Sequence, residues 1–323
     1  MKFLFASDSF KGTLSSRRTA ELLEQAAKEI FPGCECSSVE MADGGEGTTD
    51  AVIAAVGGRR NVLKVRGPLW EEREAFYGAL DEKRAVMEMA AASGLPFVPQ
   101  EKRDPRKTTS FGTGEMIKDA LDKGFTDISI AIGGSATNDG GIGCMRALGV
   151  KFFDADGQEL PGCGEDLIRI SRIDTSGLDS RVKECTFTVM CDVTNPLCGA
   201  DGATRTFGKQ KGGTPEILDA LEAGMCNYRD VLIREFGVNM DEVSGAGAAG
   251  GLGAALMVFL GAELKSGIET VLNLVGFDEK LSGVSLVVTG EGATDWQSVF
   301  GKVMQGVGMR CKAHGIPAVA VVG

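Results

Sequence analysis

The stretch from Ser129 to Gly143, SIAIGGSATNDGGIG, limits what this chain can fold into more than any other. A short apolar run, Ile130 to Ile132, ends in two glycines; Ser135, Thr137, Asn138 and Asp139 follow, and then two more glycines. Ile142 to Leu148 then carries the apolar spacing of a helix. A strand that passes through a polar glycine turn into a helix sets backbone N–H groups and a helix start around an anion, usually phosphate. Similar junctions recur along the chain, which points to a ligand cleft lined with glycine and carboxylate.

The N-terminus reads as a buried strand, Phe3 to Ala6, ending in Asp8, Ser9 and Lys11, with Thr13 or Ser15 capping a helix that runs to about Ile30. Pro32 and Gly33 break it, Cys36 to Met41 gives a second strand, and ADGGEGTTDAVIAAVGG adds an acidic glycine turn and another helix. This alternation predicts a parallel sheet with helices packed on it. From about Val62 the texture changes to strands at 62–65, 73–80 and 85–89, followed by a helix after TTSFGTGE and a looser stretch through Cys163 and Arg172. Thr186 to Cys191 reads as a strand, Pro215 to Phe236 as a long amphipathic helix, and SGAGAAGGLGAALMVFLGA as the opening of another. Ser285 to Thr289 and Ala318 to Val322 are the last strands. Texture changes near 66 and 284 predict one domain inserted into another: 1–66 with 285–323, and 67–284. A final parallel strand without a returning helix leaves a sheet face uncovered, which predicts further chain beyond Gly323.

With 323 residues, 43% hydrophobic and 24% charged, the chain is long enough for two globular domains. Its net charge of −11 offers no cationic surplus for nucleic acid or an anionic membrane. Nine scattered cysteines without paired CxxC motifs argue against zinc and, with no signal peptide or membrane-length apolar run, for the reducing cytoplasm. The one histidine, His314, reads as a helix C-terminal cap, so acid–base chemistry falls to carboxylates or lysine.

SIAIGGSATNDGG resembles a phosphate cradle but lacks the GK[ST] ending of a Walker A loop. SGAGAAGG holds a literal GxGxxG at Gly245, Gly247 and Gly250, yet polar residues and no strand precede it, so a dinucleotide fold is disfavoured. Asp43 and Glu46 in MADGGEG suit Mg²⁺ or a hydroxyl, or else a helix cap. Asp8, Ser9 and Lys11 have the same strand-end placement; Asp192 with Asn195 and Glu291 with Asp295 repeat it; Lys209 and Lys211 lie in a basic glycine loop. Carboxylates for a base and Mg²⁺, lysines for phosphate charge and glycines for close approach are together the parts of phosphoryl transfer.

In DSFKGTLS, MADGGEGT, MEMAAASGL, EKRDPRKTTSFGTGE, IGGSATNDGG, CDVTNPLCG, FGKQKG, GAGAAGGLGAAL and GEGATDWQS, the chain resembles the bacterial class I glycerate kinases from Met1 to Gly323. The resemblance implies a flavodoxin- or Rossmann-like domain carrying an inserted α/β domain, an active site in the cleft between them, and ATP-dependent phosphorylation of D-glycerate to 2-phosphoglycerate. Attack through C3, a non-catalytic hydroxy-acid sensor and a nicotinamide-dependent dehydrogenase are the competing readings. Members of the family continue beyond where this chain stops. Ala293 stands where many have arginine, and Trp296 replaces a small residue. On this reading the base is Asp192, with Asp295 as the second choice, and Lys11 and Lys211 neutralise the substrate carboxylate or the γ-phosphate. Gly133, Gly134, Ser135, Thr137, Asn138, Asp139 and Gly140 hold phosphates; Asp8, Ser9, Lys11 and Asn195 contact glycerate; and Mg²⁺ bridges ATP to Asp43 or Asp139. The expected partners are ATP and D-glycerate alone, without nucleic acid or membrane, and with room for a homodimer.

Overall fold

The computed structural model describes residues 1–10, 13–292 and 302–323. In chain order its elements begin with β1 (Lys2–Ser7), α1 (Ser16–Ile30), β2 (Glu35–Ser38), α2 (Thr48–Val56), β3 (Arg59–Arg66), β4 (Glu72–Ala79) and β5 (Arg84–Glu88). Next come α3 (Ala90–Ser93), α4 (Phe111–Asp122), β6 (Asp127–Ala131), α5 (Ile142–Ala147), β7 (Lys151–Phe153), β8 (Arg172–Asp174), β9 (Thr186–Met190) and α6 (Ala203–Phe207). The last are α7 (Pro215–Phe236), α8 (Ala248–Leu260), β10 (Glu263–Lys265), α9 (Gly267–Leu274), α10 (Phe277–Lys280), β11 (Leu286–Glu291), α11 (Val303–Ala313) and β12 (Ala318–Val322). They divide into two compact units, Met1–Arg59 with Lys265–Gly323, and Arg60–Leu264. Residues 265–284, which the change of texture near 284 assigns to the inserted domain, lie in the first unit because α9 and α10 pack with each other and α9 packs on α11 and α2.

The first unit is built on a parallel sheet ordered β12-β11-β1-β2. Its central strands β1 and β11 are short apolar runs, with Phe3, Leu4, Phe5 and Val287 each almost fully buried, while the outer strands β2 and β12 are more exposed. From β1 the sheet grows one way to β2 and the other way to β11 and β12, so the strand order reverses between β1 and β11. Ligands of open α/β sheets bind outside the carboxyl ends of the strands at such a point. Ser15 caps α1, its hydroxyl accepting from Arg18 N–H at 3.2 Å. His314 ends α11, its N–H donating to the Arg310 carbonyl at 3.1 Å, which is the capping role its sequence position suggests.

The second unit carries a mixed sheet ordered β10-β9-β6-β5-β4-β3. β5, β6 and β9 run parallel, with Glu88 opposite Ala131 and Ala131 opposite Met190, while β4 is antiparallel to β5. The core gathers on this sheet around Tyr77, Met87, Ile128, Ile130, Phe187 and Val189. α7 has the bounds its sequence announces: Thr214 accepts from Ile217 N–H, Pro215 occupies the first turn, and left-handed Gly237 returns its N–H to Ile233. The looser stretch through Arg172 hides a small antiparallel pair, β7 with β8, too short for periodicity to reveal.

Candidate active site

β6 delivers the chain into the glycine loop with its apolar residues spent in the sheet. Gly133 and Gly134 are exposed, whereas Ser135, Ala136, Thr137, Asn138, Asp139 and Gly140 are buried. Neighbouring chain clamps the loop: Leu95 N–H donates to the Gly134 carbonyl and Ala136 N–H to the Ser93 carbonyl, both at 2.9 Å. The part of the loop open to a ligand is therefore Gly133 and Gly134. Gly134 holds φ +74°, and a Cβ there would meet only the Ala90 methyl, at 3.5 Å.

The rest of the loop serves as scaffold. The Asp139 carboxylate is wholly enclosed and accepts from Ser110 N–H at 2.7 Å, Ser110 Oγ at 2.8 Å and Gly141 N–H at 3.1 Å. It thereby takes up N–H groups just before α5 that the cradle reading reserves for phosphate. Burial raises its pKa while these donors oppose the rise. Mg²⁺ could reach this carboxylate only by displacing its donors, so Asp139 does not suit the metal role expected of it. Its partner Ser110 lies in TTSFGTG, immediately before α4, where the sequence carries no local signal of this contact. Asn138 Nδ2 likewise turns inward, to Thr204 Oγ1 at 3.0 Å.

Lys211 is also interior. Its Nζ donates to Ser135 Oγ at 2.8 Å and to the Thr137 carbonyl at 2.6 Å, and the residue is 2% exposed. Desolvation lowers its pKa to about 7, partly opposed by Asp139. An ammonium held in this way shapes the glycine loop from behind and does not extend toward a ligand in solvent. The GAGAAGG segment closes the other side. Ala249, Gly250 and Gly251 are left-handed, with φ of 53°, 68° and 90°, and Gly140 N–H donates to the Gly250 carbonyl at 2.9 Å. A Cβ on Gly250 would stand 2.1 Å from the Thr137 carbonyl oxygen. The literal GxGxxG match thus reflects close packing of one glycine segment on another.

β9 ends beside β6, and Asp192 follows it as an exposed side chain. Asn195 Nδ2 donates to the Asp201 carbonyl at 2.7 Å and to Thr206 Oγ1 at 3.3 Å, which closes the loop after β9. That is a structural use for the residue expected on substrate. In the first unit, Asp8 N–H donates to the Gly290 carbonyl at 2.9 Å, placing Asp8 and Glu291 at the point of reversal between β1 and β11. Asp8 Oδ1 accepts from Ser9 N–H at 2.6 Å. Glu291 is 7% exposed, and its Oε1 is buried with no hydrogen-bond partner among the described residues. Asp43 is half-buried and pairs with Lys302 at 3.1 Å. Lys11, Asp295, Ala293 and Trp296 lie outside the described residues.

Residues 3–323 match the sequence pattern of the Glycerate kinase family. The chain belongs to the glycerate kinase family. A relative within it, the glycerate 2-kinase of Escherichia coli (strain K12), is 50% identical across all of this chain and 85% of its own length. The glycerate kinase of Bacillus subtilis (strain 168) is 45% identical over the same shares. A crystal structure assigned to glycerate kinase 2 of Salmonella typhimurium LT2 superposes with a TM-score of 0.95 at 46% identity, covering this chain fully and 87% of that one. The glycerate kinase fold and its α/β parallel-sheet architecture are therefore those of this chain.

Proposed function

We propose that this protein is a glycerate 2-kinase, transferring the γ-phosphoryl group of ATP to the C2 hydroxyl of D-glycerate. The observation that carries the reading is local to the second unit. The exposed glycines Gly133 and Gly134 and the exposed carboxylate of Asp192 follow two adjacent parallel strands, at the end of the sheet where α/β enzymes bind ligands. Full-length identity of 50% to a protein named glycerate 2-kinase supports the substrate.

An alcohol is a weak nucleophile at neutral pH, so its proton needs an acceptor as the new O–P bond forms. Asp192 accepts that proton, the bond from the γ-phosphorus to the β,γ-bridging oxygen breaks, and ADP leaves. The Gly133–Ser135 backbone holds phosphate oxygens, and Lys211 keeps that backbone in shape. Mg²⁺ takes hard oxygen ligands. The buried Oε1 of Glu291, with no hydrogen-bond partner among the described residues, fits such an ion, with Asp8 beside it and Asp43, in the loop after β2, as a further donor. When bound, Mg²⁺ supplies charge neutralisation on the phosphates. Nine free cysteines accord with a cytoplasmic setting, and no helix among the described residues is long and apolar enough to cross a membrane.

³¹P NMR of the protein with D-glycerate, ATP and Mg²⁺ tests this. Growth of 2-phosphoglycerate as ATP falls is the expected result. A 3-phosphoglycerate signal would move the attack to C3, and intact ATP with glycerate bound would make the protein a sensor.

A further inference from the structure

A cluster well separated in sequence converges at the start of the loop that follows β9. Cys198 Sγ, Cys226 Sγ and a Glu222 carboxylate oxygen all lie within 4.8 Å of one another. Glu222 and Cys226 are four residues apart on α7, so they share a face of that helix. Cys198 comes from the loop at 191–202, and its own N–H donates to Asp241 Oδ1 at 2.8 Å, a carboxylate paired in turn with Arg229 at 2.8 Å. The Gly199 N–H fixes Glu222 Oε1 at 2.6 Å, while Glu222 Oε2 is buried with no hydrogen-bond partner among the described residues. The Cys226 thiol makes a long contact to Glu222 Oε1, at 3.9 Å, and interacts with the Cys198 thiol. Two sulfurs and an under-satisfied carboxylate, already oriented by backbone donors, form the donor set of a borderline-soft divalent cation.

We infer that Cys198, Glu222 and Cys226 bind a thiophilic divalent cation of the zinc class, with three protein ligands and a fourth position left for water. Metal–sulfur bonds of about 2.3 Å would require the three atoms to draw together by about 1 Å. Cys226 and Glu222 are half-buried, so the ion has a route in from solvent. Two thiols release their protons to solvent as the ion enters, and the bound site carries two thiolates, one carboxylate and the dication. The consequence is mechanical: the ion ties the loop at 191–202, which includes Asp192 and Asn195, to the middle of α7. This site is independent of the kinase reading and uses none of its residues. The absence of paired CxxC motifs argues against zinc only where ligands are close in sequence. Here the two cysteines are 28 positions apart, and folding brings them together.

The test uses the whole protein, reduced with a phosphine, freed of metal with a chelator and titrated with Co²⁺ and then Zn²⁺. One equivalent of Co²⁺ should give a sulfur-to-metal charge-transfer band that Zn²⁺ abolishes. Cys226→Ser and Glu222→Gln, each checked for native circular dichroism, should weaken binding at least about tenfold. Cys34→Ser serves as the control, because Cys34 and Cys36 are the other close thiol pair, with sulfurs 3.6 Å apart. It should bind as the unaltered protein does. No charge-transfer band in the reduced protein, an undiminished band in Cys226→Ser, or loss of the band in Cys34→Ser would each overturn the assignment.

Discussion

Asp192 and Lys211, both expected at the reaction centre, have opposite surroundings and call for different experiments. Asp192 is exposed beside the glycine turn, so Asp192→Asn should leave the fold intact. It should lower kcat by about 10²–10⁴ with ATP affinity little changed; near-normal turnover in that variant would remove Asp192 from the base role. Lys211 is enclosed, and its pKa falls from the ordinary 10.5 to about 7. A depressed folded-state value means that the unfolded chain binds more protons between those limits. Stability from this group is therefore complete above about pH 10.5 and is lost as pH falls through about 7. Lys211→Met removes that dependence. Denaturant unfolding of both proteins should show the balance shifting toward the lysine form as pH rises from 7 to 10, on top of a constant offset from the lost bonds to Ser135 and Thr137. A gap that does not change with pH would mean that Lys211 stays charged in the fold. The sequence marked Asp192 as a carboxylate at a strand end and Lys211 as a lysine in a glycine loop. It could not reveal their exposure, because exposure depends on which segments fold over them.

At the scale of elements, the two glycine segments separate binding from packing. A Cβ on Gly134 would make only ordinary contact with the Ala90 methyl and one on Gly250 would meet the Thr137 carbonyl, yet both glycines adopt positive φ. Gly134→Ala should cost only the left-handed strain, about 1–2 kcal/mol. It should act chiefly on KM for ATP, because this turn is the exposed one. Gly250→Ala meets a Cβ-to-oxygen distance of 2.1 Å and should destabilise the fold by more, through displacement of the Thr137–Asn138 backbone. Thermal melts and ATP titrations of the two variants check this contrast; equal losses of stability would refute it. Element boundaries were most legible where local chemistry sets them, as at Thr214, Pro215 and Gly237 around α7. They were least legible for β7, β8, α9 and α10. These elements are short, and neighbours supplied by the tertiary fold stabilise them more than their own periodicity does.

For the whole molecule, the prediction concerns where ATP registers. Hydrogen exchange with and without ATP and Mg²⁺ should show protection at 133–135 and 191–195, and little at 137–141. Those last residues are buried without ligand, and the Gly140 and Gly141 N–H groups are already bonded. Protection centred on 137–141 would restore the deep-cradle reading of the loop. The long motifs in order, the βαβα alternation and the carboxylates after strands were enough to establish the family and the α/β class from sequence alone. They are local signals, written in glycine, turn and apolar spacing that each segment carries by itself. Only the tertiary structure decided that Asp139 and Lys211 face inward, that residues 265–284 join the first unit, and that Cys198 meets Glu222 and Cys226. Each of these depends on contacts between segments far apart in the chain. Burial and convergence are properties of those contacts, and no single stretch of sequence contains them.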